Sequence, residues 1–135
     1  MNYWLVKSEP ETYSWDTFVA LREDKWDGVR NFQARNNLKI MQLDDLVFFY
    51  HSGGAREVVG VAKVTREFYP DPTTDDANWV VVDLKPLHAL PKAVTLLEIK
   101  SNSDLQNVAL IRQSRLSVMP LTNVEFDTIL QMSTF

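Results

Sequence analysis

Trp26 stands in a polar turn between Asp24-Lys25 and Asp27-Gly28, with Arg30 and Asn31 close behind it. A large aromatic on a turn beside cations and an amide is the mixture that stacks on a flat base and reads its edge. Packing beneath the loop is the structural alternative, and spacing does not separate the two. The run Phe49-Tyr50-His51-Ser52 closes a β-rich stretch, where alternation puts Tyr50 and Ser52 on one face and Phe49 and His51 on the other. Tyr69 offers another aromatic at the next strand-to-loop junction. Arg115 and Ser117 alternate with Leu116 and Val118, which predicts a shared strand face. Hairpin-end packing and a solvated strand face are the plainer readings of these last groups. From the residues alone, the pattern can build one small aromatic and polar pocket.

Other chemistries find little support. Gly28, Gly53, Gly54 and Gly60 make neither a GxGxxG fingerprint nor a phosphate loop. His51 and His88 lack partners at metal-ligand spacing, and a lone histidine is most often structural. The chain has no cysteine, which excludes disulfides, thiolate zinc sites and a cysteine nucleophile together. Lys7 and Ser8 are adjacent in a strand-like run, so their side chains point to opposite faces and make a poor serine–lysine dyad. Glu9 and Glu11 read as a solvated loop rather than an acid–base pair. No metal and no cofactor is expected.

The elements that must position these residues form an α+β pattern richer in strands than helices. Tyr3 to Val6 is a first strand halted by Lys7-Ser8-Glu9-Pro10. Ser14 precedes a helix with Trp15, Phe18 and Val19 on its apolar face. Asn31 to Met41 predicts a second helix with Ala34, Leu38 and Met41 along a stripe. Leu46–Tyr50 and Val58–Phe68 flank Ser52-Gly53-Gly54-Ala55 as a hairpin. Tyr69 to Asn78 is a loop, and Trp79 to Leu87 a strand closed by Pro86 and Pro91. A short helix over Thr95–Lys100 and a last strand near Leu116-Ser117-Val118 follow. Thr122 and Glu125 form a capping box before Phe126, Ile129 and Leu130 at helical spacing. Trp4, Trp15 and Trp79 read as core aromatics.

The 135 residues fit one domain over 1–135, and 45% hydrophobic with 24% charged residues is ordinary globular composition. No apolar run is long enough to span a bilayer, and the start lacks the basic and apolar stretches of a signal peptide. A soluble, cytoplasmic monomer with no membrane partner is the expectation. Fourteen basic against 18 acidic residues give a net charge of −4, which disfavours a nonspecific nucleic-acid coat. The charge is uneven, however. Arg30, Arg35 and Lys39 face only Asp27 between positions 26 and 39, and Arg112 and Arg115 stand without an acid between 105 and 120. A small basic site on an acidic body is compatible with this distribution.

Three blocks carry a family resemblance: Trp4-Leu5-Val6-Lys7-Ser8-Glu9-Pro10, Trp26-Asp27-Gly28-Val29-Arg30-Asn31-Phe32-Gln33-Ala34-Arg35, and Phe48-Phe49-Tyr50-His51-Ser52. With Tyr69-Pro70-Asp71, Trp79, Arg115-Leu116-Ser117-Val118 and Pro120-Leu121 in the same order, the chain resembles the EVE domain family over essentially its whole length. The resemblance extends more distantly to YTH domains, through Lys7-Ser8, Trp26 and Gly60-Val61-Ala62.

It implies a PUA-like fold, a strongly curved β-barrel of five to six strands flanked by short helices. It also implies a non-catalytic reader that receives one flipped-out modified base, a modified cytosine or adenine in DNA or RNA. On this view Trp26 is one wall and Tyr50 or Tyr69 the other. Ser8, Asn31, Ser52 and Ser117 read the edge, and Arg30, Arg35 and Arg115 hold phosphates. Lys7 does either job, and His51 makes binding pH-dependent. The loop from Asp71 to Asn78 forms a rim. Affinity for undamaged duplex should be weak, with a shallow salt slope. The competing classes are a small enzyme acting on RNA or modified nucleosides, for which the sequence offers no activated nucleophile, and a protein-interaction module.

Overall fold

The first strand, β1 (Tyr3–Ser8), runs further than its apolar residues require. It lies parallel to β3 (Leu46–His51), with Lys7 opposite Tyr50 and Ser8 opposite His51, so pairing carries the polar residues into the ladder. These assignments come from a computed structural model, which describes residues 1–134. Between the two strands lie α1 (Trp15–Leu21), the two-residue β2 (Asp24–Lys25) and α2 (Phe32–Ile40). After β3 come β4 (Glu57–Pro70), β5 (Val80–Thr95), α3 (Leu96–Ser101), a 3₁₀ turn at Ser103–Leu105, and α4 (Ala109–Arg112). The chain closes with β6 (Val118–Leu121) and α5 (Asn123–Met132).

Local signals set the helix ends. Ser14 accepts from the Thr17 N–H and starts α1, and Arg22 ends it in a left-handed conformation with φ 68°. Trp15 and Phe18 are buried as the spacing predicts, but Val19 is exposed because this short helix touches the sheet through little more than one turn. Asn31 caps α2, whose Ala34 and Leu38 are buried with Met41 just beyond. Capping boxes start α3 (Thr95 with Glu98) and α5 (Thr122 with Glu125).

The strands form one mixed six-stranded sheet in the order β2-β5-β4-β3-β1-β6. Every pair is antiparallel except β1 with β3. The β4–β5 ribbon carries four register shifts, and such bulges bend strands and raise their twist. They also explain why β5 continues through Pro86 and Pro91 instead of stopping there. Among the described residues β5 is paired outside β4 only by β2, at Leu84 and Asp83, so both prolines sit where no outer partner asks for their missing N–H. The sheet is not closed, since its edge strands β2 and β6 do not pair.

Two further expectations change. Trp79 precedes β5 and is half-buried, stacked on Phe32 with ring centroids 5.0 Å apart. The segment expected to be a strand at 116–118 is a turn that enters β6 only at Val118, held by the Leu116 N–H to the Gln113 carbonyl at 3.0 Å. Arg115 and Ser117 therefore share a loop rather than a strand face.

Inside, Phe48 stacks on Phe126 at 4.1 Å and Phe18 on Phe49 at 5.4 Å. Each such fully buried side chain contributes about 1.5–3 kcal/mol. Buried Asp45 accepts from the Trp4 indole N–H at 3.0 Å and from the backbone N–H groups of Asn2 and Gln42, which pins the start of β1. Gly60 lets the Trp15 ring lie against β4, because a Cβ there would stand 2.4 Å from it.

Candidate functional site

Parallel β1 and β3 bring Lys7-Ser8 and Tyr50-His51 to one end of the sheet. Because β6 is antiparallel to β1, the residue before it, Ser117, arrives at that same end, where its carbonyl accepts from the Lys7 N–H at 2.9 Å. From the opposite edge, β2 hangs on β5 and the Trp26 N–H donates to the Val82 carbonyl at 2.8 Å. The sheet curls far enough that both edges line one cavity of about 280 Å³. Lys7, Ser8 and Ser117 line one side, and Tyr13, Trp26 and Asp27 are on the other. The gap that keeps the barrel open is thus the candidate site.

Trp26 answers to both of its sequence readings. It is 7% exposed and meets the rings of Phe49, Tyr13 and Phe18 edge to face at 5.5, 6.0 and 6.4 Å, yet it still lines the cavity. Tyr13, not Tyr50 or Tyr69, is the second aromatic there. Its hydroxyl donates to the Asp24 carboxylate at 2.7 Å. Burial first, then the bond to Asp24 and the charges of Asp24 and Asp27, push its pKa well up, so it remains a donor. Asp24 is fully engaged, since its other oxygen accepts from the Lys25 N–H at 2.9 Å. Asp27 makes no hydrogen bond or ion pair among the described residues. Nothing in the sequence singles out Tyr13, Asp24 or Asp27 as lining residues beyond their adjacency to Ser14 and Trp26.

Lys7 donates from Nζ to the Ser114 carbonyl at 2.8 Å, and burial lowers its pKa. The Ser8 hydroxyl donates to the Tyr13 carbonyl. Lys7, Ser8 and Ser117 also line a second cavity of about 450 Å³, which holds Tyr50, Ser52 and Arg56. Tyr50 is almost fully buried, and burial raises its pKa against the opposing charge of Arg56. Asn31 and Arg115 line a third cavity of about 310 Å³ with Gln33 and Arg112, and no acidic residue borders it. Asn31 is partly committed, because its Oδ1 accepts from the Ala34 N–H at 2.9 Å as the α2 cap.

Several residues face other work. Arg30 lines the first cavity, but its guanidinium donates to buried Asp71 at 2.9 Å and lies 5.6 Å from the Trp79 ring. Burial would raise the Asp71 pKa, but donors from Thr73, Arg30 and Gly28 outweigh it and hold the carboxyl down at about 2. This knot ties the Gly28–Arg30 wall to the loop after β4, which is expected to form a rim but contributes no lining residue to the first cavity. Gly28, with φ 76°, takes the left-handed turn that the wall requires. Arg35 donates to the Asn78 carbonyl at 2.9 Å and covers Phe32. His51 and Tyr69 lie outside all three cavities. The His51 Nε2 accepts from the Trp15 N–H at 3.0 Å and so serves the start of α1. The Tyr69 hydroxyl donates to Asp83 beneath the Arg66 guanidinium, and burial with that bond pushes its pKa up to about 12.

Among the described residues, no group of three or more His, Cys, Asp or Glu side chains is arranged to hold a metal ion, and no helix is long and apolar enough to cross a membrane.

A mixed, curled sheet with an open-edge cavity and short flanking helices is the architecture of a PUA-like domain. The chain belongs to the EVE domain family, whose model matches residues 2–132. Mouse thymocyte nuclear protein 1 is 36% identical over 165 residues, spanning 97% of this chain and 73% of its own length. An Agrobacterium tumefaciens protein known from an X-ray structure superposes with a TM-score of 0.95 at 39% identity, over 98% of this chain and 93% of its own. Human THYN1, in complex with DNA containing 5-methylcytosine, superposes with a TM-score of 0.94 at 32% identity, covering all of this chain and 99% of its own. The YTH domain of Zygosaccharomyces rouxii MRB1 shares the fold at a TM-score of 0.62 and 13% identity, over 99% of this chain and 87% of its own.

Proposed function

We propose that this protein reads a modified base in DNA or RNA, taking one flipped-out base into the cavity walled by Trp26 and Tyr13, and that it performs no chemistry on it. The carrying observation is the cavity itself: two aromatic walls and polar groups from opposite sheet edges, beside a third cavity with Arg112 and Arg115 and no acid. A flipped base brings its phosphates along, and such a basic neighbour suits them. The human relative's complex with 5-methylcytosine DNA supports the same reading.

The magnitudes are compatible. Extruding a base costs a few kcal/mol, and stacking on one aromatic returns about 1–3 kcal/mol. A methyl group adds about 0.8 kcal/mol when buried. Discrimination therefore rests on fit and on edge contacts together.

Fluorescence anisotropy at low salt tests the reading, using oligonucleotides that differ in one modified base. Selective binding of one base is expected, and it should be lost in Ser117→Phe, which sets a large ring into the cavity lining from the loop before β6. Equal, weak binding of every oligonucleotide, unchanged in that variant, overturns it.

A further inference from the structure

The donors and acceptors of the first cavity are unequally occupied, and the inequality selects a base. Two carboxylates line it. Asp24 has both oxygens engaged, by the Lys25 N–H and the Tyr13 hydroxyl. Asp27 follows Trp26 directly, is exposed, and is bonded to nothing among the described residues. It lines the cavity beside Trp26 and Gly28, on the same side as Tyr13. An ionised carboxylate only accepts hydrogen bonds. The same cavity offers donors in Lys7, Lys25 and the Ser117 hydroxyl.

We propose that Asp27 determines specificity, accepting a hydrogen bond from the exocyclic amine of the bound base, so that the cavity takes amino bases and rejects their oxo counterparts. The proposal rests on the base-reading function above. Cytosine presents an amine donor at position 4, flanked by a ring nitrogen and a carbonyl that both accept. That polarity matches one carboxylate flanked by cationic and hydroxyl donors. Thymine presents an oxygen at position 4, which would meet the Asp27 carboxylate lone pair to lone pair. Leaving a desolvated acceptor unpaired costs more than a missing contact, which is why polar sites reject the wrong partner strongly. Carboxylates read the cytosine amine in the same sense in the major groove of DNA.

5-Methylcytosine and thymine form a near-minimal pair, alike in ring size and in the 5-methyl group. Single-stranded oligonucleotides carrying one or the other at a central position should be titrated into wild type, Asp27→Asn and Asp27→Ala by anisotropy at fixed low salt. Wild type should hold the 5-methylcytosine strand about tenfold or more tighter than the thymine strand. In Asp27→Asn, whose amide both donates and accepts, the two should come within about threefold, with thymine gaining. Removing one negative charge should tighten every strand alike, so the ratio is the readout. A uniform gain with the ratio intact overturns the proposal. Wild type binding both strands equally, and above a strand with cytosine at that position, also overturns it and leaves base reading standing. No base preference in any strand removes both.

Discussion

The Arg30 guanidinium donates to the Asp71 carboxylate at 2.9 Å across 41 positions of sequence, with the Asp71 side chain wholly shielded from solvent and 40% of Arg30's exposed. The pair is a clasp between the cavity wall and the loop after β4. A charge-assisted hydrogen bond of this kind contributes about 1.5–3 kcal/mol. Arg30→Ala should therefore lower unfolding stability in urea by about that much and weaken base binding by loosening Gly28 and Val29. Arg30→Lys should recover only part of it, because lysine lacks the planar fork.

Asp71 also predicts an acid response. Its folded pKa, about 2, lies below that of an unfolded carboxyl, about 3.9. The stability it contributes is present in full above the unfolded value and is lost as pH falls through the folded one. Urea unfolding from pH 5 to pH 2 should show this decline, and Asp71→Asn, already less stable at pH 7, should show a shallower one.

Gly60 answers to Trp15. The Trp15 ring is held edge to face by Phe18 at 5.7 Å and by Phe49 at 5.4 Å, so it cannot retreat from an added Cβ. Gly60→Ala should destabilise by about 1–3 kcal/mol, the range for overpacked cores. Trp15→Leu in the same chain should cancel part of that cost, a coupling visible in a double-mutant cycle of melting curves.

His51 should make stability, rather than base contact, depend on pH. Burial lowers its pKa against the opposing charges of Glu57 and Asp16, and the neutral ring accepts the Trp15 N–H. Its contribution is complete above about pH 6.5 and is lost as pH falls through the lowered folded value. His51→Gln keeps an acceptor and removes the titration. Wild type should lose stability between pH 8 and pH 5, and the variant should lose less, by urea unfolding at the two pH values.

What the sequence made legible was whatever short-range chemistry dictates. Ser14, Asn31 and Thr122 marked helix starts, and alternation put Tyr50 with Ser52 and Phe49 with His51. The resemblance carried by the Trp26 to Arg35 block identified the family. What escaped depended on sheet curvature. Tyr50 and Tyr69 are sound aromatic candidates by position, but only the coiling of β2 toward β1 and β6 decides that Tyr13, packed edge to face on Trp26, shares the cavity lining with it. Arg30 reads as a phosphate-holding cation because its partner Asp71 is remote in sequence and sits in a segment that reads only as a loop. Pro86 and Pro91 read as strand ends because an unpaired edge leaves no local mark.

Arg115 differs from Arg30, Arg35 and Arg112, which all donate side-chain hydrogen bonds, because among the described residues its own side chain makes none, and it borders the third cavity with Arg112. If a bound strand passes there, Arg115 meets a phosphate and no base. Each neutralised phosphate on a single strand contributes about 0.7 to the slope of log affinity against log salt. Arg115→Ala should therefore reduce that slope by about 0.7 and weaken all strands alike, leaving the ratio between modified and unmodified bases unchanged. Titrations between 50 and 200 mM salt separate this from Arg30→Ala, which should lower stability as well as affinity. A slope unchanged by Arg115→Ala would route the strand away from the third cavity and toward Arg56 in the second.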